Sequence, residues 1–526
     1  MVPVKKTPDT DVRFPDREGL GAQTGPETPA PSRLRASLTC LALLCAVIFF
    51  FTAGLARIDL WAPDEPRYAA IAEELRSGRH GPSGLVLLHL NDEPYSQKPP
   101  LYFWLAAAAG LVSGRVDALA ARLPSALAGV ACVLGTFWIA RLSRFPRAAA
   151  WLSAGLLATS FRFVFTARRA QLDVLLCSFE VLAVALFLVL ETRRGGIEEA
   201  RNSPVLVAGL HAALGAAALV KGPVGWLPLL VFAVYLGWED RLPALRRLTP
   251  LWSWLFSVAP LALWIGAATA LAPDGFAQDA IGTNVFARFF SGTSHARPFY
   301  YYAYQLPLDF LPWTLLLPAA VVALARRAKA AAEAGAQTPR AGISDGSTAR
   351  FLVSWILVPL AFFSLSAGKR GLYLLPIYPA LALACTLGVP RRVRALVGAI
   401  GAVALLELAG AFFILPRLDA EKSPRPIARA IAAHTQPSEI VALYGLRPLE
   451  GAIPYYGARR VRSISSQAEA KRFLVDEGDL ILMRAGEFDR LRAPLGLGML
   501  ERFRSGHREL VLARAVTGAH ALEGAP

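Results

Sequence analysis

The feature that most constrains this chain is a succession of apolar runs, most of them close to bilayer-spanning length, separated by short and mostly basic gaps. A membrane-crossing helix needs ~20 predominantly apolar residues, because lipid offers its backbone no hydrogen-bond partner. Such runs fall near 36–56, 119–140, 147–162, 172–190, 204–220, 223–238, 250–271, 306–325, 351–366, 371–388 and 394–415. The chain has 526 residues, 55% of them hydrophobic and 18% charged, with a mean hydropathy of +0.43. That balance excludes an ordinary soluble enzyme and predicts a polytopic α-helical membrane protein of about eleven spans.

The formal charge of +16 would point to nucleic acid in a soluble protein. Here no basic soluble module is visible, and no nucleic-acid partner is expected. Much of the Lys and Arg lies in the gaps at 141–147, 193–201, 241–247, 326–350 and 391–394, which the positive-inside rule places in the cytoplasm. All five agree, with the N-terminus inside, only if the apolar stretch 101–112 does not cross. Twelve residues are too few to span, so this stretch reads as an interfacial or re-entrant helix within a long first outer loop, 57–118. Residues 1–34 are polar and read as a disordered cytoplasmic leader. The run 38–56 reads as a retained first helix rather than a cleaved signal. The membrane domain covers 35–415. After it the composition changes, and 416–526 reads as a small α/β domain on the outer side. Its expected strands are 439–444, 455–462, 479–483 and 508–512, and its expected helices 427–434 and 467–475. The five cysteines all fall in apolar stretches and form no disulfide framework or zinc spacing.

This topology gathers the unusual polar residues on the outer face. The first outer loop opens with Trp61-Ala62-Pro63-Asp64-Glu65-Pro66-Arg67-Tyr68, an acidic pair stiffened by two prolines. A carboxylate that serves as base must be held in place where it can lose solvent; an acidic pair at a helix start is also ordinary. The same loop carries Lys98-Pro99-Pro100, a rigidly presented cation. Next comes Arg168-Arg169-Ala170-Gln171-Leu172-Asp173, whose charges run against the positive-inside trend and whose Asp173 enters a membrane helix, a costly position that marks a functional candidate. The segments Asn284–Tyr302 and 366–376 follow. Among their polar residues are Arg288, His295, Lys369 and Tyr373, and a phosphate suits such cations. Lys221-Gly222-Pro223 is a similar but weaker case.

These segments resemble the bacterial GT-C glycosyltransferases of glycosyltransferase family 39, which includes aminoarabinose–lipid A transferases and protein O-mannosyltransferase-like enzymes. Asp64-Glu65-Pro66-Arg67-Tyr68 resembles an Asp-Glu-x-Arg-Tyr element, and Gln97-Lys98-Pro99-Pro100-Leu101 a Glu-Lys-Pro-Pro-Leu element. The stretches 167–173, 284–289 and 368–376, together with Arg122-Leu123-Pro124-Ser125 and Lys221-Gly222-Pro223, follow in consistent order over roughly 50–390. The resemblance implies an inverting transferase in the bacterial inner membrane, working on the periplasmic face. It would take a sugar from a polyprenyl phosphate and pass it to a glycolipid such as lipid A, a polysaccharide or a protein. Asp64 would be the catalytic carboxylate, with Asp173 organising the cavity. Glu65, Arg67, Tyr68, Lys98, Arg168, Arg288, His295, Lys369 and Tyr373 would line the substrate site. Gln97 stands where aminoarabinose transferases carry a glutamate of a zinc site. Gln is a poor zinc ligand, so no metal is expected to be required. A lipid transporter or an envelope assembly subunit are the alternatives; neither needs a carboxylate fixed beside a phosphate-binding lysine.

Overall fold

The computed structural model describes residues 33–287, 296–333, 345–388, 393–506 and 508–516. Among them six helices are long and apolar enough to cross a membrane, and up to nine when each of three bent pairs counts as one span. The unbroken ones include Ala118–Leu142, Leu172–Thr192, Gly346–Leu365 and Gly371–Gly388. The bent pairs are Arg147–Ala158 with Phe161–Ala167, Leu251–Ser257 with Ala259–Leu271, and Tyr301–Asp309 with Trp313–Ala330, turned by 66°, 54° and 109°. Each bend has a local cause. Thr159 and Ser160 turn their hydroxyls back onto the carbonyls of Gly155 and Leu156, and Pro260 and Pro312 lie at the other two breaks.

The run Pro204–Trp238 has hydrogen-bonded turns throughout, yet it folds as two antiparallel helices, as its sequence predicts. Gly222 sits at φ +78°, a conformation that only glycine adopts freely, and Pro223 has no N–H to continue the helix. A Cβ on Gly225 would lie 2.4 Å from the backbone nitrogen of Ala218, so the chain doubles back on itself. Tyr235 then reaches Glu191 (3.4 Å), at the far end of Leu172–Thr192 from Asp173, and Arg241 pairs with Glu191 at 2.5 Å. The interior is close-packed. Phe187 stacks on Phe232 (4.1 Å) and on Phe351 (5.7 Å). The stretch expected to lie at the interface is the helix Leu101–Ser113, 13 residues long.

Two short strands, β1 (His89–Leu90) and β2 (Glu93–Pro94), form a hairpin in the first loop. The C-terminal domain holds the remaining five: β3 (Ile440–Tyr444), β4 (Arg460–Ile464), β5 (Leu480–Arg484), β6 (Leu497–Ser505) and β7 (Arg508–Ala515). Their order is β4-β3-β5-β7-β6, with β4, β3 and β5 parallel and β7 antiparallel to β5. The sheet buries apolar side chains on both faces, Val441 and Leu482 on one, Ala442 and Met483 on the other. Two differences from the sequence expectation stand out. Tyr455 and Tyr456 lie in the short helix Ala452–Gly457, so the second strand starts only at Arg460. The strand β6 was not expected, because its exposed edge mixes charged and apolar residues.

The first loop and the C-terminal domain are tied together. Leu60 N donates to the Tyr456 hydroxyl (2.6 Å), and the Tyr455 hydroxyl donates to Val116 O (2.8 Å). Arg425 pairs with Asp59 at 2.6 Å. The side chain of Asn91, at the hairpin tip, meets both the N–H (2.9 Å) and the carbonyl (2.5 Å) of Val461 in β4.

Candidate active site

The helix Asp64–Arg76 begins the site. Pro63 precedes it and Pro66 occupies its first turn, where a missing N–H costs nothing. Two carboxylates in that turn also suit the helix dipole. Successive helical residues point about 100° apart, so Asp64 and Glu65 face different surroundings.

Glu65 is fully buried. One of its oxygens accepts from Arg122 Nε (2.8 Å) and Ala170 N (2.9 Å); the other accepts from Trp61 N (3.0 Å) and Arg122 Nη2 (3.0 Å) and faces Arg169 at 2.9 Å. Arg122, itself 1% exposed, spends its remaining donors on the carbonyls of Leu55, Ile58 and Asp59. Burial alone would raise the Glu65 pKa, but Arg122, Arg169 and these hydrogen bonds hold it down to about 2. The expectation that Glu65 contacts substrate is therefore corrected. It is a buried bracket that fixes the start of the helix.

Asp64 is 5% exposed and faces inward to a polar cluster. It pairs with Arg67 through one oxygen and lies 3.3 Å from Arg370 through the other. Burial raises its pKa, and Arg67 and Arg370 outweigh that, leaving it below the usual carboxylate range. Asp173, in the first turn of Leu172–Thr192, pairs with Lys221 from the reversal at Gly222. The Lys221 ammonium also lies 4.5 Å above the ring of Tyr373. Arg370 feels the charges of both Asp64 and Asp173. Two carboxylates, three cations and a tyrosine thus converge from four segments distant in sequence. Tyr68 forms the floor. It is 4% exposed, packs edge-on against Tyr102 (5.9 Å) and Phe103 (5.6 Å), and burial pushes its hydroxyl pKa up.

Two further expectations have a different outcome. Arg168 donates to the carbonyls of Phe50 and Ala53 and so closes the end of the first helix. Lys369 is 4% exposed and donates to the carbonyls of Arg297 (3.1 Å) and Ser366, pinning the turn on which it sits. Neither reaches Asp64 in this arrangement, and both are corrected to supporting positions. Lys98 is half-buried ahead of Leu101–Ser113. Arg288 and His295 lie outside the described residues. Arg370 and Lys221 were not singled out as site residues from the sequence. Both stand in turns the sequence had marked, but a turn has no periodicity to say which of two neighbouring side chains points inward.

Residues 36–276 match the family model for dolichyl-phosphate-mannose-protein mannosyltransferases. Over 370 residues the chain is 31% identical to an undecaprenyl phosphate-alpha-4-amino-4-deoxy-L-arabinose arabinosyl transferase of Pseudomonas aeruginosa, in an alignment covering 68% of this chain and 60% of that protein. A Pseudomonas fluorescens protein of the same description is 32% identical over 362 residues, covering 68% and 57%. The chain thus spans about three fifths of the length of these curated relatives. Among solved structures, ArnT from Cupriavidus metallidurans bound to undecaprenyl phosphate superposes with a TM-score of 0.72 at 19% identity, covering 92% of this chain and 99% of that one. The oligosaccharyltransferase AglB of Archaeoglobus fulgidus gives 0.53 at 14% identity, with 87% and 70% covered. These likenesses establish a GT-C fold, with a multi-pass membrane region and a small C-terminal sheet domain. Along the sequence, the chain is similar to the protein mannosyltransferase model over 36–276 and to the aminoarabinose transferases over about 370 residues.

Proposed function

We propose that the chain is an inverting glycosyltransferase that moves a sugar from a polyprenyl-phosphate donor to an envelope acceptor on the periplasmic face of the inner membrane. The observation that carries this reading is Asp64 held between Arg67 and Arg370, beside the Asp173–Lys221 pair. An acceptor oxygen attacks the anomeric carbon from the face opposite the phosphate. The bond from that carbon to the phosphate oxygen breaks, and its electron pair leaves with the phosphate. The acceptor proton passes to Asp64 or, through it, to water. Positive charge develops on the sugar, as in glycosyl transfer generally, and the carboxylates of Asp64 and Asp173 oppose it. Negative charge develops on the phosphate, where Arg67, Lys221 and Arg370 supply preorganised cations. A phosphate monoester has its second pKa near ~6, so the leaving group departs without a strong general acid. Because the Asp64 pKa is depressed, its charge contributes more than its basicity. Both its oxygens face arginines, a donor set that suits an anionic ligand better than a divalent ion, and the reaction as written routes no step through a metal.

The periplasmic orientation is supported by the basic gaps at 193–201 and 241–247, which adjoin Glu191 and Arg241 at the end of Leu172–Thr192 away from Asp173. The test is mass spectrometry of envelope glycolipids and glycoproteins from cells carrying wild type, a deletion or Asp64→Asn at matched expression. Loss of one sugar in both mutants, with its polyprenyl-phosphate precursor accumulating, is the expected result. Full transfer by a folded Asp64→Asn protein overturns the reading and leaves a lipid carrier or an assembly subunit in its place.

A further inference from the structure

A second cluster stands at the opposite end of the Asp64–Arg76 helix from Asp64, and the proposed reaction does not use it. Among the described residues, Glu74, His80 and Asp92 bring three ligand-type atoms within 4.8 Å of one another. Glu74 Oε2 lies 3.2 Å from His80 Nε2, and Asp92 Oδ1 lies 3.8 Å from the same nitrogen. A zinc-class ion bound tetrahedrally at ~2.0–2.2 Å sets its ligand atoms about 3.3–3.6 Å apart. The spacing found therefore needs only small movements to close on such an ion.

The three ligands come from separate segments, each fixed by something else. Glu74 is held by Asn91 N, which donates to Oε1 at 2.7 Å and leaves Oε2 toward His80. The His80 ring lies flat against His89, with centroids 3.7 Å apart and planes 13° apart, and so has a set orientation. Supports of this kind around a ligand are what metal sites need beyond the ligands themselves. Asp92 sits at the β1–β2 hairpin tip, where Asn91 and Asp92 take φ of 62° and 65°, a turn that Asn and Asp adopt readily. Glu74, Asn91 and Asp92 also line a cavity of about 1120 Å³ between the loop and the C-terminal domain, whose other lining residues include Arg79, Arg115, Arg425, Arg429, Arg459 and Arg460. Arg79, mostly exposed, lies 3.3 Å from Asp92 Oδ1, and a bound ion would take its place on that oxygen.

We propose that Glu74, His80 and Asp92 form a binding site for a first-row divalent cation of the zinc class. The imidazole selects against calcium and magnesium, which take oxygen ligands. A bound ion would join the helix that begins with Asp64, the hairpin, and through Asn91 the C-terminal domain. This is a bracing site, and it stands whether or not the proposed reaction is right.

The test uses the full chain in lipid nanodiscs, without a polyhistidine tag, stripped with a chelator and titrated with zinc chloride against a chromophoric competitor. One ion per chain is expected. His80→Gln and Asp92→Asn should each weaken binding by about tenfold or more, and cobalt(II) should give a visible band that both variants lose. Zinc binding that is equal in wild type and in a Glu74→Gln/His80→Gln double variant overturns the proposal, as does no binding at about 100 μM. Should the variants fail to fold, X-ray absorption on zinc-loaded wild type decides. One imidazole with oxygen neighbours supports the site, and a sulfur-containing or several-histidine shell refutes it.

Discussion

Asp64 and Glu65 are neighbours in sequence, both acidic, both buried and both paired with two arginines. They nevertheless do opposite things. The partners of Glu65 surround it completely, and Arg122 goes on to cap three carbonyls, so that the cluster is closed. The partners of Asp64 hold it from two sides within a wider group of charges that includes Asp173 and Lys221. Two arginines around a carboxylate therefore do not by themselves define a reactive site. What separates the two is whether the cations have spent their donors on backbone carbonyls, as Arg122 has, or stand within a group of further charges, as Arg370 does.

That contrast can be broken or sharpened by substitution. The largest effect on transfer should come from Asp64→Asn, a loss of about 10²–10⁴-fold with little change in thermal unfolding, measured on purified protein with a polyprenyl-phosphate sugar. Glu65→Gln should do the reverse. It leaves Arg122 and Arg169 buried without their counter-charge, at a cost of about 3–5 kcal/mol, visible as a lower Tm and poor yield. A Glu65→Gln protein that is as stable as wild type and merely slow would erase the distinction. Next is the pH response of Arg370→Gln. Arg370 favours the charged form of Asp64, so its removal raises the Asp64 pKa, and the acid limb of the rate profile should move to higher pH. In wild type that limb should lie below the ordinary carboxylate range, activity being lost only as pH falls through the depressed pKa. The smallest effect is expected at the adjacent residue. Lys369→Gln should lower the rate by about tenfold or less through a loosened turn, and leave the acid limb where it was. A shift of the limb equal to that of Arg370→Gln would place Lys369 beside Asp64 after all.

The sequence carried the membrane region well, because lipid imposes a single demand and long apolar runs answer it. Even the reversal at Lys221-Gly222-Pro223 was legible, since glycine and proline there leave a continuing helix no route. The stretch that the parity of basic gaps kept from crossing is the 13-residue helix Leu101–Ser113, shorter than a span. The C-terminal domain was legible where strands are apolar, as in Leu480–Arg484, and silent for Leu497–Ser505, whose stability comes from pairing with β7 rather than from its own pattern. In the site, Asp64 stood out within an acidic pair stiffened by two prolines, and Asp173 because a carboxylate entering a membrane helix is costly. Their partners did not. Which cation of Lys369-Arg370 turns inward depends on where the carbonyls of Arg297 and Ser366 lie, and nothing local to the turn encodes that.

The clasp between Asn91 and Val461 has a consequence for the C-terminal sheet as an object in its own right. The strand β4 is one end of that sheet, and an unpaired edge invites another chain to add a strand. One asparagine amide, offering a donor and an acceptor at once, occupies the N–H and carbonyl of Val461 as a neighbouring strand would. The membrane half thus covers a sticky edge of the domain it carries. A C-terminal domain expressed alone would bare that edge at Val461, and self-association through β4 is the behaviour to expect of it.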